Sequence, residues 1–357
     1  MLTLTTSLCK KCNKPFEHTE GVNDGLCIDC LFPVVESKSN PQEVVIKPEL
    51  LDISKLSQSQ ERVLWRPSDF SQYIGQSSLK EILQSYIRGC KELNRPFPHF
   101  LVDGGAGKGK TTIAYILANQ LGLNFVERLS NTIKSPQQFI DILVEVDGGI
   151  LLVDEIQLIN KNVATLLLPI MEDFKINGQH IKPFTLMGCT TEKGLLIKKW
   201  KPMIDRFKIQ KTLDPYTLDE LVILLKQYKD KSFRAVKIED NIFLEIAKNS
   251  RNTPRIGIRL LESFIYMQKP LDHVLKVYNI IQDGITTEDV KVLKLLASNP
   301  NGIGLNSLCA YLQTSADNFM YQYEQYLLEK ELMTIGSRRQ ITLKGKELLK
   351  GLENGNP

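Results

Sequence analysis

The sequence predicts an α/β fold: a parallel sheet covered by helices, then a helical lid, a C-terminal winged helix and a small N-terminal metal module. Three observations carry that expectation. Short apolar runs alternate with amphipathic helical stretches between Trp65 and Thr212. A glycine-rich loop, Gly104-Gly105-Ala106-Gly107-Lys108-Gly109-Lys110-Thr111, follows one of those runs and opens a helix. From Leu218 to about Ile281 the pattern is helical throughout, and a last block ends in two short strand-like segments. The expected boundaries are 1–34 for the metal module, 35–60 for a linker, 61–213 for the sheet domain, 214–284 for the lid, 285–350 for the winged helix and 351–357 for a tail.

In chain order, the first element is the cysteine set. Cys9, Cys12, Cys27 and Cys30 form two CxxC pairs separated by fourteen residues. Four such thiolates suit a tetrahedral Zn²⁺, closed to other ligands and therefore structural. Binding would supply roughly 10 kcal/mol or more of the module's folding free energy. The spacing does not name the module's partner. Residues 35–60 carry Pro41, Pro48 and several serines in a weak apolar pattern, which reads as a linker.

The runs Phe100–Val102, Phe125–Arg128, Gly149–Val153, Thr185–Cys189 and Phe207–Thr212 read as strands of one parallel sheet. The glycine-rich loop fits GxxxxGK[ST]. Gly104, Gly107 and Gly109 allow the backbone to turn its N–H groups onto phosphates, and the helix that follows adds its positive end. Lys110 is expected on the β- and γ-phosphates and Thr111 on Mg²⁺, with Thr112 as a further contact. Lys108, though inside the loop, is expected to point its side chain to solvent. ATP and Mg²⁺ are thus the expected ligands.

The strand Ile150–Val153 ends in Asp154 and Glu155. At the C-terminal edge of a parallel sheet, Asp154 would hold Mg²⁺ through water and Glu155 would deprotonate the attacking water. A second buried run, Phe184–Thr191, ends in hydroxyls, placing Thr191 to sense the γ-phosphate. Arg206, in Asp205-Arg206-Phe207, lies at a domain edge from which it could reach a neighbouring subunit's nucleotide. Arg255 opens a lid helix after Asn252-Thr253-Pro254 and could close over the phosphates. Singly, each arginine reads more readily as a surface salt-bridge residue than as a catalyst; the ordered series gives them weight.

In the helical region Leu221, Leu224 and Leu225 share one face, as do Ile242, Leu244, Ile246 and Ala247. From Thr287 to Leu349 the order is three helices, then Leu332–Ile335 and Gln340–Leu343 around Gly336-Ser337-Arg338-Arg339. Two strands around a polar turn after three helices suggest a wing, with Arg338 and Arg339 offered to DNA phosphates. The net charge of +4 is a weak pull towards acidic partners. No apolar run approaches the ~20 residues of a membrane span, and Met1–Lys10 lacks the signal-peptide layout, so a cytoplasmic protein with no membrane partner is expected.

Residues from about Arg62 to Leu349, about four-fifths of the chain, resemble the RuvB family, hexameric AAA+ motors of Holliday-junction branch migration. The resemblance is carried by Arg66-Pro67, Tyr73-Ile74-Gly75-Gln76, the phosphate loop, Val153-Asp154-Glu155-Ile156, Pro169–Asp173, Pro183–Leu186, Asp205-Arg206-Phe207, Tyr216, Thr253-Pro254-Arg255-Ile256, Gly304-Leu305 and Tyr326-Leu327. It implies a large AAA+ domain, a lid and a DNA-binding winged helix, with double-stranded or branched DNA as substrate and a homohexameric ring. By position it implies that Tyr73, Ile74, Tyr216 and Arg255 contact nucleotide in cis, that Arg206 acts in trans, that Thr191 is the first sensor and that Arg62 lies near the adenine.

The departures are informative. Only Phe174–Lys182 stand where the family carries a longer apolar hairpin that docks RuvA, which argues against a RuvA-type partner. Ile204 replaces a family arginine, and the wing keeps only Arg338 and Arg339 of a denser set. The cysteine module is an addition, and such divergence suits a phage or mobile-element relative. Two other readings compete. A clamp-loader-, helicase-loader- or initiator-like switch would use ATP to place another ring, although clamp loaders carry their zinc module after the phosphate loop and end in a helical collar. An adaptor with a vestigial ATPase is argued against by the intact Lys110, Asp154, Glu155, Arg206 and Arg255.

Overall fold

The computed structural model describes residues 4–8, 15–19, 65–176 and 178–353. Cys9, Cys12, Cys27, Cys30 and Arg62 lie outside the described residues. The chain divides into two units, Met1–Lys47 and Pro48–Pro357. In the first, β1 (Leu4–Leu8) pairs antiparallel with β2 (Pro15–Thr19), from Leu4 opposite Thr19 to Leu8 opposite Pro15.

The second unit opens with α1 (Ser77–Glu92) and continues through β3 (Phe100–Asp103), α2 (Lys110–Leu121), β4 (Phe125–Leu129), α3 (Pro136–Val146), β5 (Ile150–Asp154) and α4 (Lys161–Asp173). A small hairpin, β6 (Lys175–Ile176) with β7 (Gln179–His180), leads to β8 (Thr185–Thr190), α5 (Lys193–Ile204) and β9 (Ile209–Thr212). The five long strands form one parallel sheet in the order β4-β5-β8-β3-β9. Helical crossovers cover both faces, which is why these strands read as continuous apolar runs. Alternate residues serve opposite layers. Leu151 and Val153 pack with Phe139, Leu167 and Phe207. Ile150 and Leu152 pack with Phe100, Ile116 and Met187 on the other face.

This topology fixes the site. All five strands point the same way, so the residues that follow them collect along one edge. Because β8 lies between β5 and β3, Thr191 falls between the phosphate loop and the Asp154-Glu155 pair. Gly104 N–H donates to the Thr190 carbonyl at 3.1 Å, locking the loop's first residue to that neighbour. The last strand starts later than the apolar pattern suggests. Phe207 N–H donates to Ile204 O at 3.0 Å, so Phe207 closes the end of α5 and does not begin β9.

The lid comprises α6 (Leu218–Ser232), α7 (Asp240–Lys248), α8 (Pro254–Met267) and α9 (Leu271–Val277). A reciprocal Thr217–Glu220 capping box starts α6. The helical pattern does not run to Ile281 as expected. A hairpin of β10 (Ile280–Gln282) and β11 (Ile285–Thr286) intervenes, turning through Asp283 and Gly284 at positive φ. Asp-Gly is a strong hairpin signal, masked here by apolar neighbours that continue a helical period.

The winged helix follows: α10 (Thr287–Ala297), α11 (Leu305–Leu312), α12 (Ala316–Phe319), one wide π-type turn over Met320–Glu324, α13 (Gln325–Glu329), β12 (Met333–Ile335), β13 (Arg339–Ile341) and α14 (Leu343–Glu353). Its core joins Val292, Leu293, Leu308, Phe319 and Leu327.

Arg251 ties this domain to the lid. Its guanidinium donates to Gly284 O at 2.8 Å, to Gln322 O at 2.9 Å and to the Asp289 carboxylate, and it stacks 4.4 Å above the Tyr326 ring. Asp289 is fully buried, and stripping one partner from such a pair costs about 3–5 kcal/mol. Among the described residues no helix is long and apolar enough to cross a membrane.

Candidate nucleotide site

The phosphate loop needs its glycines for two separate reasons. Gly107 has φ 78°, and a Cβ there would sit 2.7 Å from Cβ of Arg255 in the lid. Gly109, at φ 92°, caps α2, and a Cβ there would meet the Tyr73 hydroxyl at 2.7 Å. Lid and N-terminal segment therefore close directly on the loop. Lys110 begins α2, is buried, and donates from Nζ to Gly104 O at 2.6 Å and to Gly105 O at 3.3 Å. Lys108, expected in solvent, is half-buried and folds back along Gly105.

A cleft of about 550 Å³ lies over this loop, within the range of small-ligand sites. Tyr73, Ile74, Thr111, Thr112, Asp154, Tyr216 and Arg255 line it together with Lys110 and Glu155. All of them belong to the set expected from the sequence, drawn from separate stretches of chain by the sheet edge and the lid. The Tyr73 and Tyr216 hydroxyls lie 3.4 Å apart, each 3.5 Å from Lys108 O. Burial pushes both phenols above their ordinary range, the Tyr73 hydroxyl further raised by Tyr216, so both stay protonated near neutral pH. Neutral donors beside a glycine-rich turn, one ammonium and two hydroxyls fit a nucleoside polyphosphate. A hydroxyl (Thr111) and a carboxylate (Asp154) fit Mg²⁺, a cation that prefers oxygen ligands.

Glu155 has left-handed backbone (φ 49°), which turns the chain sharply out of β5. Its Oε2 accepts from Thr191 Oγ1 at 2.8 Å and from Gln157 Nε2 at 2.6 Å. Gln157 is buried, and its Oε1 accepts from Thr190 Oγ1 at 2.7 Å. The carboxylate thus sits beside the cleft with two donors fixing its orientation. Sequence reasoning found Glu155 and Thr191 but missed Gln157, which belongs to no spacing pattern.

Arg206 lines neither this cleft nor the larger one beside it. It donates to Pro202 O and to Glu172 Oε2, each at 2.8 Å, just beyond the end of α5. In the wing, Arg338 is exposed, as expected of a phosphate contact. Arg339 differs from expectation: it is mostly buried and its Nε donates to the buried Glu324 at 2.7 Å, so it braces the domain from inside.

Comparison with known proteins places these features in one family. The family model for the Holliday junction DNA helicase RuvB P-loop domain matches residues 65–213, and that for the RuvB C-terminal winged helix domain matches 282–350. The Holliday junction branch migration complex subunit RuvB of Fervidobacterium nodosum is 32% identical over 301 residues, spanning 77% of this chain and 85% of the relative. That of Thermotoga petrophila is 36% identical over 289 residues, 74% of this chain and 85% of the relative. The solved structure of the Thermotoga maritima RuvB Holliday junction branch migration motor superposes with a TM-score of 0.71 at 34% identity, covering 80% of this chain and 98% of that one.

Proposed function

The chain belongs to the RuvB family, and from that premise we propose that it is an ATP-driven motor that moves double-stranded DNA through branched junctions, working as a ring, hexameric by family resemblance. The observation that carries this reading is the Glu155–Thr191 contact at 2.8 Å, formed at the mouth of a phosphate loop by residues 36 positions apart. Hydrolysis needs a carboxylate base held in one orientation, and this contact supplies it.

In this reading Lys110 leaves the Gly104 and Gly105 carbonyls for phosphate oxygens, and Thr111 and Asp154 would hold the metal. Mg²⁺ there would supply charge neutralisation for the phosphates. Glu155 takes a proton from the attacking water, steadied by Thr191 and Gln157. Tyr216 with its neighbour Tyr73, Ile74 and the Arg255 end of α8 line the cleft that takes the nucleotide. Arg206, which does not line its own cleft, serves the adjacent copy.

DNA contact falls to the wing. The helical stretch 316–329 carries Asp317, Glu324 and Glu329 and no lysine or arginine. That stretch supplies no cation for a phosphate backbone. Arg338 contacts phosphate, so binding is tolerant of sequence and sensitive to salt. Arg338→Glu should weaken binding uniformly across unrelated duplexes and lower the slope of log K against log salt by about 1. Fluorescence anisotropy at several salt concentrations measures this, and an unchanged slope removes Arg338 from the interface. The β6–β7 hairpin, two residues long on each side, supports a reading without a RuvA-type partner.

The test of function uses a synthetic four-way junction with a mobile core. The full chain with ATP and Mg²⁺ should resolve it into two duplexes, and a non-hydrolysed analogue or metal chelation should stop it. The analogue complex, imaged with duplex, should show closed rings around DNA. ATP consumption without junction dissociation, from open or monomeric particles, would support a loader instead.

A further inference from the structure

A second cleft, of about 1030 Å³, lies where the ATPase sheet edge, the lid and the winged helix converge. Glu155, Thr191 and Glu192 line one side and Tyr321 the other. The Tyr321 hydroxyl donates to Oε1 of Glu192, across 129 positions of sequence. Tyr321 stands on the wide π-type turn, and such turns are concentrated at functional sites because the extra residue re-aims a side chain.

From Glu192 the path inward is continuous. Glu192 N–H donates to Thr190 Oγ1 at 3.0 Å, Thr190 donates to Gln157, and Gln157 donates to Glu155. Thr191, next to Glu192, donates to Glu155 directly. The path outward is equally short. Glu324, on the same wide turn, holds Arg339 of β13, and the Gln322 carbonyl accepts from the lid residue Arg251.

We propose that Tyr321 is a positioning residue for hydrolysis, which acts through Glu192 and the Thr190–Thr191 hydroxyls to orient the Glu155 carboxylate and makes winged-helix placement an input to turnover. It rests on the reading of Glu155 as the base. The phenol suits such a role. Burial, and then the Glu192 carboxylate, pushes it up to about 12, so it remains a donor at neutral pH. A hydrogen bond to a charged acceptor is the stronger kind.

The test is steady-state ATPase of the full chain on duplex DNA over a range of ATP concentrations. Tyr321→Phe and Glu192→Met each remove one end of the Tyr321–Glu192 contact while roughly keeping side-chain size at positions outside the core, and thermal melting verifies that both fold. Each should lower kcat by roughly threefold to tenfold, the range for one lost hydrogen bond, with KM for ATP unchanged. The double variant should be no slower than either single one, because both remove the same contact. An unchanged kcat in Tyr321→Phe overturns the proposal. So does a raised KM at unchanged kcat, or a double variant whose loss is the product of the two. Glu155→Gln separates this from the underlying reading: if it still hydrolyses ATP, the base assignment has failed. If it is inert while Tyr321→Phe is untouched, the base stands and the positioning role of Tyr321 is gone.

Discussion

Glu155→Gln should lower ATP turnover by roughly 10²–10⁴-fold, the usual worth of a general base, while nucleotide affinity is retained. The amide keeps the shape of the carboxylate and an oxygen that can accept from Thr191 and Gln157, so the local hydrogen bonds at 2.8 and 2.6 Å have a substitute acceptor. What it loses is the ability to take a proton. Titration with a fluorescent ATP analogue and single-turnover phosphate release measure the two halves. Normal phosphate release would remove Glu155 from the chemistry, whereas lost affinity would assign it to nucleotide binding.

Arg206→Ala should be nearly inert as a homogeneous ring, because an arginine that stabilises the transferred phosphoryl group contributes about 10³–10⁵ in rate. The sharper result comes from mixing. Arg206→Ala retains Glu155, and Glu155→Gln retains Arg206. If each hydrolysis centre draws its arginine from the next copy, subunits mixed one to one and assembled at random complete about a quarter of their interfaces, since each interface needs one intact partner of each kind. Two inert proteins should therefore recover turnover together. An inactive mixture would mean that Arg206 serves its own subunit, a role made awkward by its ties to Glu172 and Pro202.

The parts legible in the sequence were those whose geometry is local or periodic. The phosphate loop announces itself because glycine spacing, lysine and threonine all follow from one strand–loop–helix turn. The five strands were legible because a sheet covered on both faces demands unbroken apolar runs, and their common direction put Asp154, Glu155 and Thr191 on one edge. Charge alone misled at Arg339, since a basic residue on a wing reads as a DNA contact until its buried partner Glu324, fifteen positions away, is seen. Gln157, Glu192 and Tyr321 had no signal. They are polar residues whose significance arises only when segments distant in sequence meet. The β10–β11 hairpin did have one, in Asp283-Gly284, but Ile280 and Ile281 prolong a helical period into it.

Arg251 has a mechanical consequence. One guanidinium fork grips the β10–β11 hairpin, the wide turn and the first helix of the winged domain at once, so these parts are braced against one another as a single stiff arm. A tilt of the lid over a nucleotide would therefore be carried to the wing tip and enlarged by the arm's length, and a load on the wing would return along the same path.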